Sequence, residues 1–405
     1  MNTGDTAFMF LSTVLVMLMT PGLALFYSGM VKEKNVLSTT MHSYCCIAIV
    51  SIQWILIGYS LAFGPDISHL FGNLDWTFLN HVGFKPYSPY ASTIPHNLFM
   101  MYQLMFAIIT PALITGAIAE RIKFPAFLAF VILWTTLVYD PVAHWVWGNG
   151  GWIKNLGALD FAGGTVVHIS SGVSGLVAAI YIGGRKLKKT SPNNLPMTIL
   201  GAGLLWFGWY GFNAGSALGL NNVAMTAFIT TNTSAAAATI AWVACEWIVT
   251  KKATVLGAVT GAVVGLVSIT PAAGFVTPAS SIVIGAIGSL ICYFAVSYLK
   301  PKFNYDDALD AFGCHGIGGT WGSIATGIFA TKAVNSAGAN GLLYGNPSLV
   351  LTQFIATIAT YAYSIVMTII ILKVISLVFK LRADDVEEES GLDISMHGEK
   401  GYHIA

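Results

Sequence analysis

Long apolar stretches joined by short polar connectors run along almost the whole of this 405-residue chain. Between Lys252 and Lys300 there is no Asp, Glu, Lys or Arg. Between Lys189 and Lys251 the one charged residue is Glu246. A helix that crosses a bilayer needs about 20 mostly apolar residues, so each interval is long enough for two crossings. The pattern predicts an all-α polytopic membrane protein.

Eleven apolar segments follow from this pattern. The first is expected to be retained, because the N-terminus lacks the basic start and small-residue cleavage site of a signal peptide. The predicted transmembrane helices are 7–30, 41–63, 94–119, 124–144, 161–183, 196–216, 222–248, 254–271, 280–298, 308–330 and 347–378.

Composition narrows the class of protein: 55% of the residues are hydrophobic and 9% are charged, against about 25% charged in soluble proteins. The net charge of +1 gives no reason to expect a nucleic-acid partner. The five cysteines have neither disulfide nor zinc-site spacing. We expect them to be small buried hydrophobic residues, and we expect neither a metal nor a cofactor.

The distribution of Lys and Arg predicts the orientation, because the cytoplasmic loops of membrane proteins collect basic residues. With the N-terminus outside and the C-terminus inside, the inner connectors hold fourteen basic residues and the outer connectors three. Adding or removing one span in the middle would scramble this bias, so it supports the count of eleven. The inner residues are Lys32, Lys34, Arg121, Lys123, Arg185, Lys186, Lys188, Lys189, Lys251, Lys252, Lys300, Lys302, Lys380 and Arg382, and the outer ones are Lys85, Lys154 and Lys332.

The basic connector 183–196 divides the first ten spans into two halves, 7–183 and 196–330. Because five is odd, the second half begins on the opposite side of the membrane, which gives the inverted repeat common in transporters. His168 and His315 lie in the fifth and tenth spans, each followed by small residues at positions +3, +4 and +7 on one helical face. Such faces allow close helix contact, so we expect the two imidazoles to meet.

Each of these histidines lies in the middle of a span, where burial favours the neutral imidazole. Two neutral rings side by side offer a hydrogen-bond donor and an acceptor, which can pass a proton or hold a small polar molecule. Structural histidines bonded to the backbone are the alternative. Matching positions in a repeat favour the functional interpretation, since ionisable residues inside a membrane mark transport pathways.

A second candidate site is aromatic. Ring faces attract a desolvating cation by about 0.5–2 kcal/mol each, and a nearby hydroxyl adds an oxygen. Ordinary packing or an interfacial belt is the alternative for each ring. The candidates are Tyr102 and Phe106 of the third span, Trp209, Phe212 and Ser216 of the sixth, and Trp147 in a predicted glycine-rich outer loop.

Several segments resemble the signature sequences of Amt-type ammonium transporters of the Amt/Mep/Rh family, and the likeness extends over about residues 6–402. It implies a homotrimer in which each subunit has its own pore. The segments are ALFYSGMVKEKNVLS (24–38), ITPALITGAIAERIKFPA (109–126), ALDFAGGTVVHISSGVSGLVAA (158–179), NLPM (194–197), FGWYGFNAGSA (207–217), DALDAFGCHGIGGTWGSIATGIFA (307–330) and GLDISMHGEKGY (391–402).

The resemblance also implies roles for single residues. Trp147, Phe106 and Ser216 match the family's external ammonium-recruitment site. Phe106 and Phe212 match its stacked gate. The twin-histidine pair of the pore is matched by His168 and His315.

Three further residues complete the predicted site. Asp160 matches the aspartate needed for an intact entrance, and we expect it to cap the fifth helix, which begins at DFAGG. Tyr102 departs from the Phe common at its position, so its hydroxyl either aids recruitment or faces water. Trp209 is a ligand-binding candidate through its helical spacing from Phe212.

The expected function is transport, with no enzyme activity. Ammonium is recruited outside, gives its proton to a relay that involves the histidines, crosses as ammonia and is reprotonated inside. K⁺ has no proton to lose and would have to enter hydrocarbon as an ion. A neutral gas channel of the Rh type and an ammonium sensor are the alternatives. An intramembrane metal enzyme would need more ligands than two histidines.

The chain divides into a transmembrane domain, 1–380, and a cytoplasmic tail, 381–405. The charge density of the tail favours disorder, whereas the apolar pair Leu392 and Ile394 after a turn at Gly391 favours docking. The resemblance implies a regulatory tail docked on the cytoplasmic faces of the subunits. It also implies control by a PII-type signalling protein. We expect the transporter itself to lie in the plasma or inner membrane of the cell.

Overall fold

The structure, a computed structural model, describes residues 1–186 and 191–402. Two short antiparallel strands, β1 (Asp66–Ile67) and β2 (Phe71–Gly72), interrupt an otherwise helical chain. The α-helices are α1 (Thr3–Met30), α2 (Val36–Gln53), α3 (Tyr59–Phe63), α4 (His96–Ile118), α5 (Phe124–Trp134), α6 (Asp140–Trp147), α7 (Trp152–Leu156), α8 (Ser170–Ile182), α9 (Leu195–Ala214), α10 (Asn222–Thr250), α11 (Val255–Ile269), α12 (Pro278–Phe294), α13 (Lys300–Phe303), α14 (Ile317–Phe329), α15 (Ser348–Ser376) and α16 (Asp385–Ser390). Wider π-helical turns lie at Trp54–Gly58, Thr135–Tyr139, Gly164–Ile169, Ala295–Leu299, Phe312–Gly316 and Asp393–His397. Tighter 3₁₀ turns lie at Glu33–Asn35, Thr77–Leu79, Gly215–Ala217 and Leu342–Tyr344.

These helices form the eleven predicted spans, and the prediction of an all-α membrane protein is confirmed. In the described ranges, nine helical segments are long and apolar enough to cross a membrane. The eighth span, α11, is shorter, and the tenth consists of the π turn Phe312–Gly316 followed by α14.

One element differs from its prediction. Trp147 is the last residue of α6 rather than part of a loop, because the helix continues through the apolar run after His144 and ends at Gly148. The basic residues Lys188 and Lys189 of the connector, and residues 403–405 of the tail, lie outside the described residues.

The packing of the helices has the twofold pattern of an inverted repeat. The first helices of the two halves, α1 and α9, pack together extensively. In the first half α4 packs on α1 and α8, and in the second half α11 packs on α9 and α14. The fifth and tenth spans cross where Gly172 meets Gly316: a Cβ on Gly172 would lie 2.2 Å from the backbone nitrogen of Gly316. The small residues after each histidine therefore allow this close crossing.

A network of buried charges lies at one end of the helix bundle. We call this end the tail face, because the C-terminal tail lies on it. Arg185 donates to Asp306 (Nη2–Oδ1, 2.9 Å) and to Glu120 (Nη1–Oε2, 2.6 Å). Arg121 donates from Nη2 to the carbonyl oxygens of Ala117 and Asp306. Burial alone would raise the pKa of Asp306, but the hydrogen bonds and charge of Arg185 outweigh it and hold this pKa at about 2. Asp306 therefore stays ionised at neutral pH.

The tail docks on this face. The backbone amide of Ala383 donates to the carbonyl of Arg121, and that of Lys123 donates to the carbonyl of Leu381. Asp384 caps α16 in a capping box with Glu387. These bonds tie the start of the tail to the connector between the third and fourth spans.

Farther along the tail, Leu392 is fully buried and its backbone amide donates to Asn35 Oδ1 at 2.8 Å. Ile394 is 43% exposed on the single chain, so of the predicted apolar pair only Leu392 anchors the tail to its own subunit. Positions two apart in a helical turn point in nearly opposite directions, and only Leu392 of this pair faces the protein.

Candidate functional site

A cavity of about 160 Å³ lies at the end of the bundle opposite the tail face. We call it the vestibule. Its wall combines aromatic rings with a few polar side chains, which suits a small cation that has to lose water. The lining residues are Phe63, Pro89, Tyr90, Phe99, Gln103, Phe106, Trp147, Lys154, Phe161, Ser216 and Leu218.

Three rings meet at the inner end of the vestibule. The centroids of Phe106 and Phe212 are 4.2 Å apart, with their planes tilted by 32°. Trp147 stands at 87° to Phe106, with a centroid distance of 5.9 Å. Its indole Nε1 donates to the carbonyl of Asp160 at 2.9 Å, which fixes the ring. Both phenylalanines are buried and Trp147 is partly exposed. The stacked pair of Phe106 and Phe212 therefore closes the inner end of the vestibule, and Trp147 forms part of the wall on its outer side.

Ser216 and Tyr102 lie beside this aromatic group. Ser216 donates from its hydroxyl to the carbonyl of Phe212 at 2.9 Å, which leaves its lone pairs free to accept an N–H. Tyr102 is fully buried. Its hydroxyl lies 3.0 and 2.8 Å from the carbonyl oxygens of Gly211 and Phe212 and 3.2 Å from Ser216 Oγ. The hydroxyl of Tyr102 therefore does not face water and holds the end of α9.

Farther into the bundle, the two imidazoles meet. His168 and His315 are buried, and each lies on a π turn, at Gly164–Ile169 and Phe312–Gly316. Their Nδ1 atoms are 3.3 Å apart, and the ring planes differ by 24°. Single π turns inside helices occur frequently at functional sites. The meeting expected from the repeat is thus present in the structure.

An apolar constriction surrounds the histidines. Its cavity measures about 10 Å³, close to the minimum that holds one water-sized molecule. Trp209 stacks on His168 with a centroid distance of 5.4 Å and an interplanar angle of 26°, and its Nε1 donates to Thr270 Oγ1 at 2.9 Å. Trp209 therefore belongs to the constriction and not to the vestibule wall. The constriction is lined by Met19, Leu23, Phe26, Ile109, Leu113, Val167, His168, Leu205, Trp209, Phe212, Val263 and His315.

Asp160 positions the first of the two π turns. Its two carboxylate oxygens accept the backbone amides of residues 163–166 at 2.7 to 3.2 Å. Asp307 accepts two backbone amides at the start of the tenth span, at 3.0 and 2.8 Å. Each aspartate thus caps the broken helix that carries a histidine.

The histidine pair can exchange a proton while it stays neutral. One ring's Nδ1–H donates to the other ring's Nδ1, which leaves one Nε2 as an acceptor and the other as an N–H donor. Within residues 1–186 and 191–402, His168 Nε2 has no hydrogen-bond partner.

No group of three or more His, Cys, Asp or Glu in that part of the chain could hold a metal ion.

Gln103 lines the vestibule and was not predicted. Its Oε1 is buried and has no hydrogen-bond partner among the described residues. It lies three residues before Phe106, on the same helical face, and a polar residue at that spacing in an apolar span was the available signal. Its amide oxygen adds a second acceptor beside Ser216.

The chain matches the family model described as the Ammonium Transporter Family over residues 7–402. The ammonium transporter of Bacillus subtilis (strain 168) is 62% identical over 403 residues, which cover 99% of this chain and 99% of that protein. Ammonium transporter Amt1 of Archaeoglobus fulgidus is 47% identical over 405 residues, with 99% of this chain and 100% of that protein covered.

Solved structures agree with these relatives. The crystal structure of Saccharomyces cerevisiae Mep2 has a TM-score of 0.89 at 35% identity, covering 95% of this chain and 88% of that chain. A sensor Amt protein has a TM-score of 0.90 at 28% identity, covering 97% of this chain and 98% of that chain. The family model and these relatives match the chain over nearly its whole length. This multi-pass membrane protein therefore belongs to the ammonium transporter family.

Proposed function

We propose that the protein recruits ammonium in the vestibule, separates it into a proton and ammonia, and conducts the ammonia through the twin-histidine constriction. The observation that carries this proposal is the 3.3 Å contact between His168 and His315 inside an apolar constriction of about 10 Å³. A hydrated cation does not fit such a space, whereas a single neutral molecule does.

Recruitment uses the vestibule aromatics. The faces of Trp147 and Phe106 attract the cation by about 0.5–2 kcal/mol each, and the lone pairs of Ser216 accept one of its N–H groups. Together they replace part of the water that ammonium loses as it enters. Asp160 positions the site without binding ammonium, because its side chain caps the fifth span and its backbone carbonyl accepts a hydrogen bond from the Trp147 indole.

Deprotonation explains the selectivity. Phe106 and Phe212 move apart to let the substrate through, and the histidine pair accepts the released proton and passes it on. Ammonia then crosses the constriction without charge. K⁺ has no proton to give up, so it would have to enter the apolar constriction as an ion, which is strongly unfavourable.

The same proposal includes orientation and assembly. The excess of basic residues on the tail face supports a cytoplasmic C-terminus and an external N-terminus, in the plasma or inner membrane. The family resemblance supports a homotrimer with one pore per subunit and a regulatory tail. Because the tail lies against the connectors of the tail face, it is placed to influence the inner ends of the spans.

A PII-type signalling protein is the proposed cytoplasmic partner. Pull-down of the host's PII protein in ADP, compared with ATP plus 2-oxoglutarate, tests this directly. We expect binding in one condition and not in the other. Equal binding, or none, in both conditions would leave the tail with a role inside the transporter only.

The central experiment is an ammonium pulse on purified protein in liposomes, recorded on a solid-supported membrane. We expect a saturable inward current, because a proton and an ammonia both enter. A channel for neutral gas would make the lumen alkaline without a current, and a sensor without transport would give neither signal. Either of these results would contradict the proposed function.

A further inference from the structure

A second, larger cavity lies on the tail face, with a volume of about 380 Å³. Met30, which lines it, is four residues beyond Phe26 of the constriction and on the same face of α1. Leu256, which also lines it, is seven residues before Val263 of the constriction and on the same face of α11. The cavity therefore continues the path of the constriction toward the tail face, and we call it the inner mouth.

Two pairs of charged side chains line the inner mouth. Arg185 and Asp306 hold each other through two hydrogen bonds of 2.9 Å between their side chains. Lys300 donates to Asp310 with an Nζ–Oδ1 distance of 2.6 Å, and both side chains are partly exposed, at 24% and 30%. Only the second pair combines exposure to the mouth with a cation that can release a proton, because a guanidinium stays protonated in proteins.

Four other titratable side chains lie near the pair formed by Lys300 and Asp310. Tyr305 lines the same mouth. Asp307 is buried behind it and holds two backbone amides of the tenth span. Tyr27 and Cys314 lie within electrostatic range of Asp310, and both are buried. None of these four side chains combines a positive charge with access to the mouth, so Lys300 remains the candidate donor.

We propose that Lys300, positioned by Asp310, is the proton donor that re-forms ammonium as ammonia leaves the constriction. In this step an N–H bond of the Lys300 ammonium breaks and a new N–H bond forms on ammonia, so that ammonium and a neutral lysine amine result. The amine then takes the proton that ammonium released in the vestibule and that the histidine pair carried inward. This inference rests on the proposed function.

The chemistry of lysine suits the step. The ammonium group of lysine is a somewhat weaker acid than the ammonium ion. Burial alone would lower the pKa of Lys300, but the charges of Asp310 and Asp307 outweigh it and raise this pKa. The transfer is therefore uphill, and it proceeds because ammonium leaves the mouth and the relayed proton restores the charged lysine. A positioned general acid speeds proton transfer by about 10²- to 10⁴-fold. Asp310 keeps the lysine side chain at the mouth and stabilises its charged form between turnovers.

The test compares Lys300→Arg and Lys300→Met with the wild-type protein in liposomes that contain a pH-sensitive dye. Arg keeps the charge and the ion pair but cannot release a proton at neutral pH. Lys302→Arg is the matched control, because Lys302 is exposed on the same short helix and does not line the inner mouth. Current and lumen pH are recorded after the same ammonium pulse.

For both Lys300 variants we expect the current to fall by about 100-fold, the lower part of the range for a positioned general acid. The lumen should become alkaline, because ammonia still enters and takes its proton from the lumen. Lys302→Arg should behave as wild type. A wild-type current in Lys300→Arg would overturn the inference. Loss of both the current and the rise in lumen pH in a folded Lys300 variant would also overturn it. Absence of current in the wild type would instead contradict the proposed function.

Discussion

Trp147, a residue of the proposed recruitment site, is a ring held in a fixed position. Its indole is held by the carbonyl of Asp160 and stands against Phe106. We expect Trp147→Leu to raise the ammonium concentration for half-maximal current by roughly 2- to 30-fold, which corresponds to the loss of one cation–π contact of about 0.5–2 kcal/mol. A concentration series of current amplitudes measures this.

The control for that series is Phe84→Leu, because Phe84 is 82% exposed and lies outside the vestibule lining. It should leave the half-maximal concentration where it is in the wild type. Unchanged current at low ammonium in Trp147→Leu would show that the cation–π contact does not limit recruitment.

Asp160 supports a second prediction at this scale. In Asp160→Asn one carboxylate oxygen becomes an NH₂ group, which cannot accept the backbone amides that the carboxylate holds. An unpaired buried donor costs about 1–3 kcal/mol, and the π turn that carries His168 loses its cap. We expect a lower thermal stability together with a strongly reduced current. Wild-type transport in this variant would mean that the cap does not position the histidine.

Single residues were predictable from sequence to different degrees. The pairing of His168 and His315 followed from their matching places in the repeat. Gln103 was not predicted: its spacing from Phe106 was a signal, but a polar side chain in an apolar span can face either a cavity or a neighbouring helix, and the sequence does not distinguish the two. Lys300 was assigned to the inner side through its charge, but its contact with Asp310 depends on how the ninth and tenth spans pack.

The crossing of the fifth and tenth spans is the feature that matters most at the scale of elements. A Cβ on Gly172 would lie 2.2 Å from the backbone nitrogen of Gly316, so Gly172→Ala has to push the two π turns apart. We expect a loss of stability of about 1–3 kcal/mol, typical of overpacking, and a weaker current because the imidazoles separate. Thermal unfolding and the ammonium pulse measure the two effects.

Gly203→Ala is the matched control for this change. A Cβ on Gly203 would meet no atom within 4 Å, and alanine is favoured over glycine in helices by about 1 kcal/mol. It should be neutral or stabilising. If Gly172→Ala were as stable and active as Gly203→Ala, close approach at the crossing would not be needed.

Helical spans and their order were predictable because the length of an apolar run is set by the thickness of the bilayer. The π turns were not predicted, since inserting one residue into a helical turn leaves the hydrophobic pattern almost unchanged. The end of α6 was missed for a related reason: apolar residues after His144 continue a helix as readily as they form a loop.

At the scale of the whole molecule, the tail connects the ends of several spans. Leu392 is fully buried, whereas Ile394 is 43% exposed. We expect Leu392→Ala to release the tail, because truncation of a buried leucine costs about 2–5 kcal/mol. We also expect it to lower transport, as we expect of a deletion of residues 384–405. Hydrogen exchange of residues 384–402, read with the ammonium current, measures both.

Ile394→Ala is the control for the tail, since its side chain is removed from an exposed position. It should keep the exchange protection and the current of the wild type. Equal effects of the two alanine variants would show that docking does not depend on the buried leucine. A released tail with unchanged current would separate docking from regulation.

The most direct test of the proposed relay replaces both His168 and His315 with leucine and compares ammonium with K⁺ currents in liposomes. The double variant should form a folded trimer that has lost selective ammonium transport, because no pair remains to take up and pass on the proton. The wild type should conduct ammonium and exclude K⁺ under the same conditions. Ammonium uptake that still excludes K⁺ in the double variant would contradict the proposed relay.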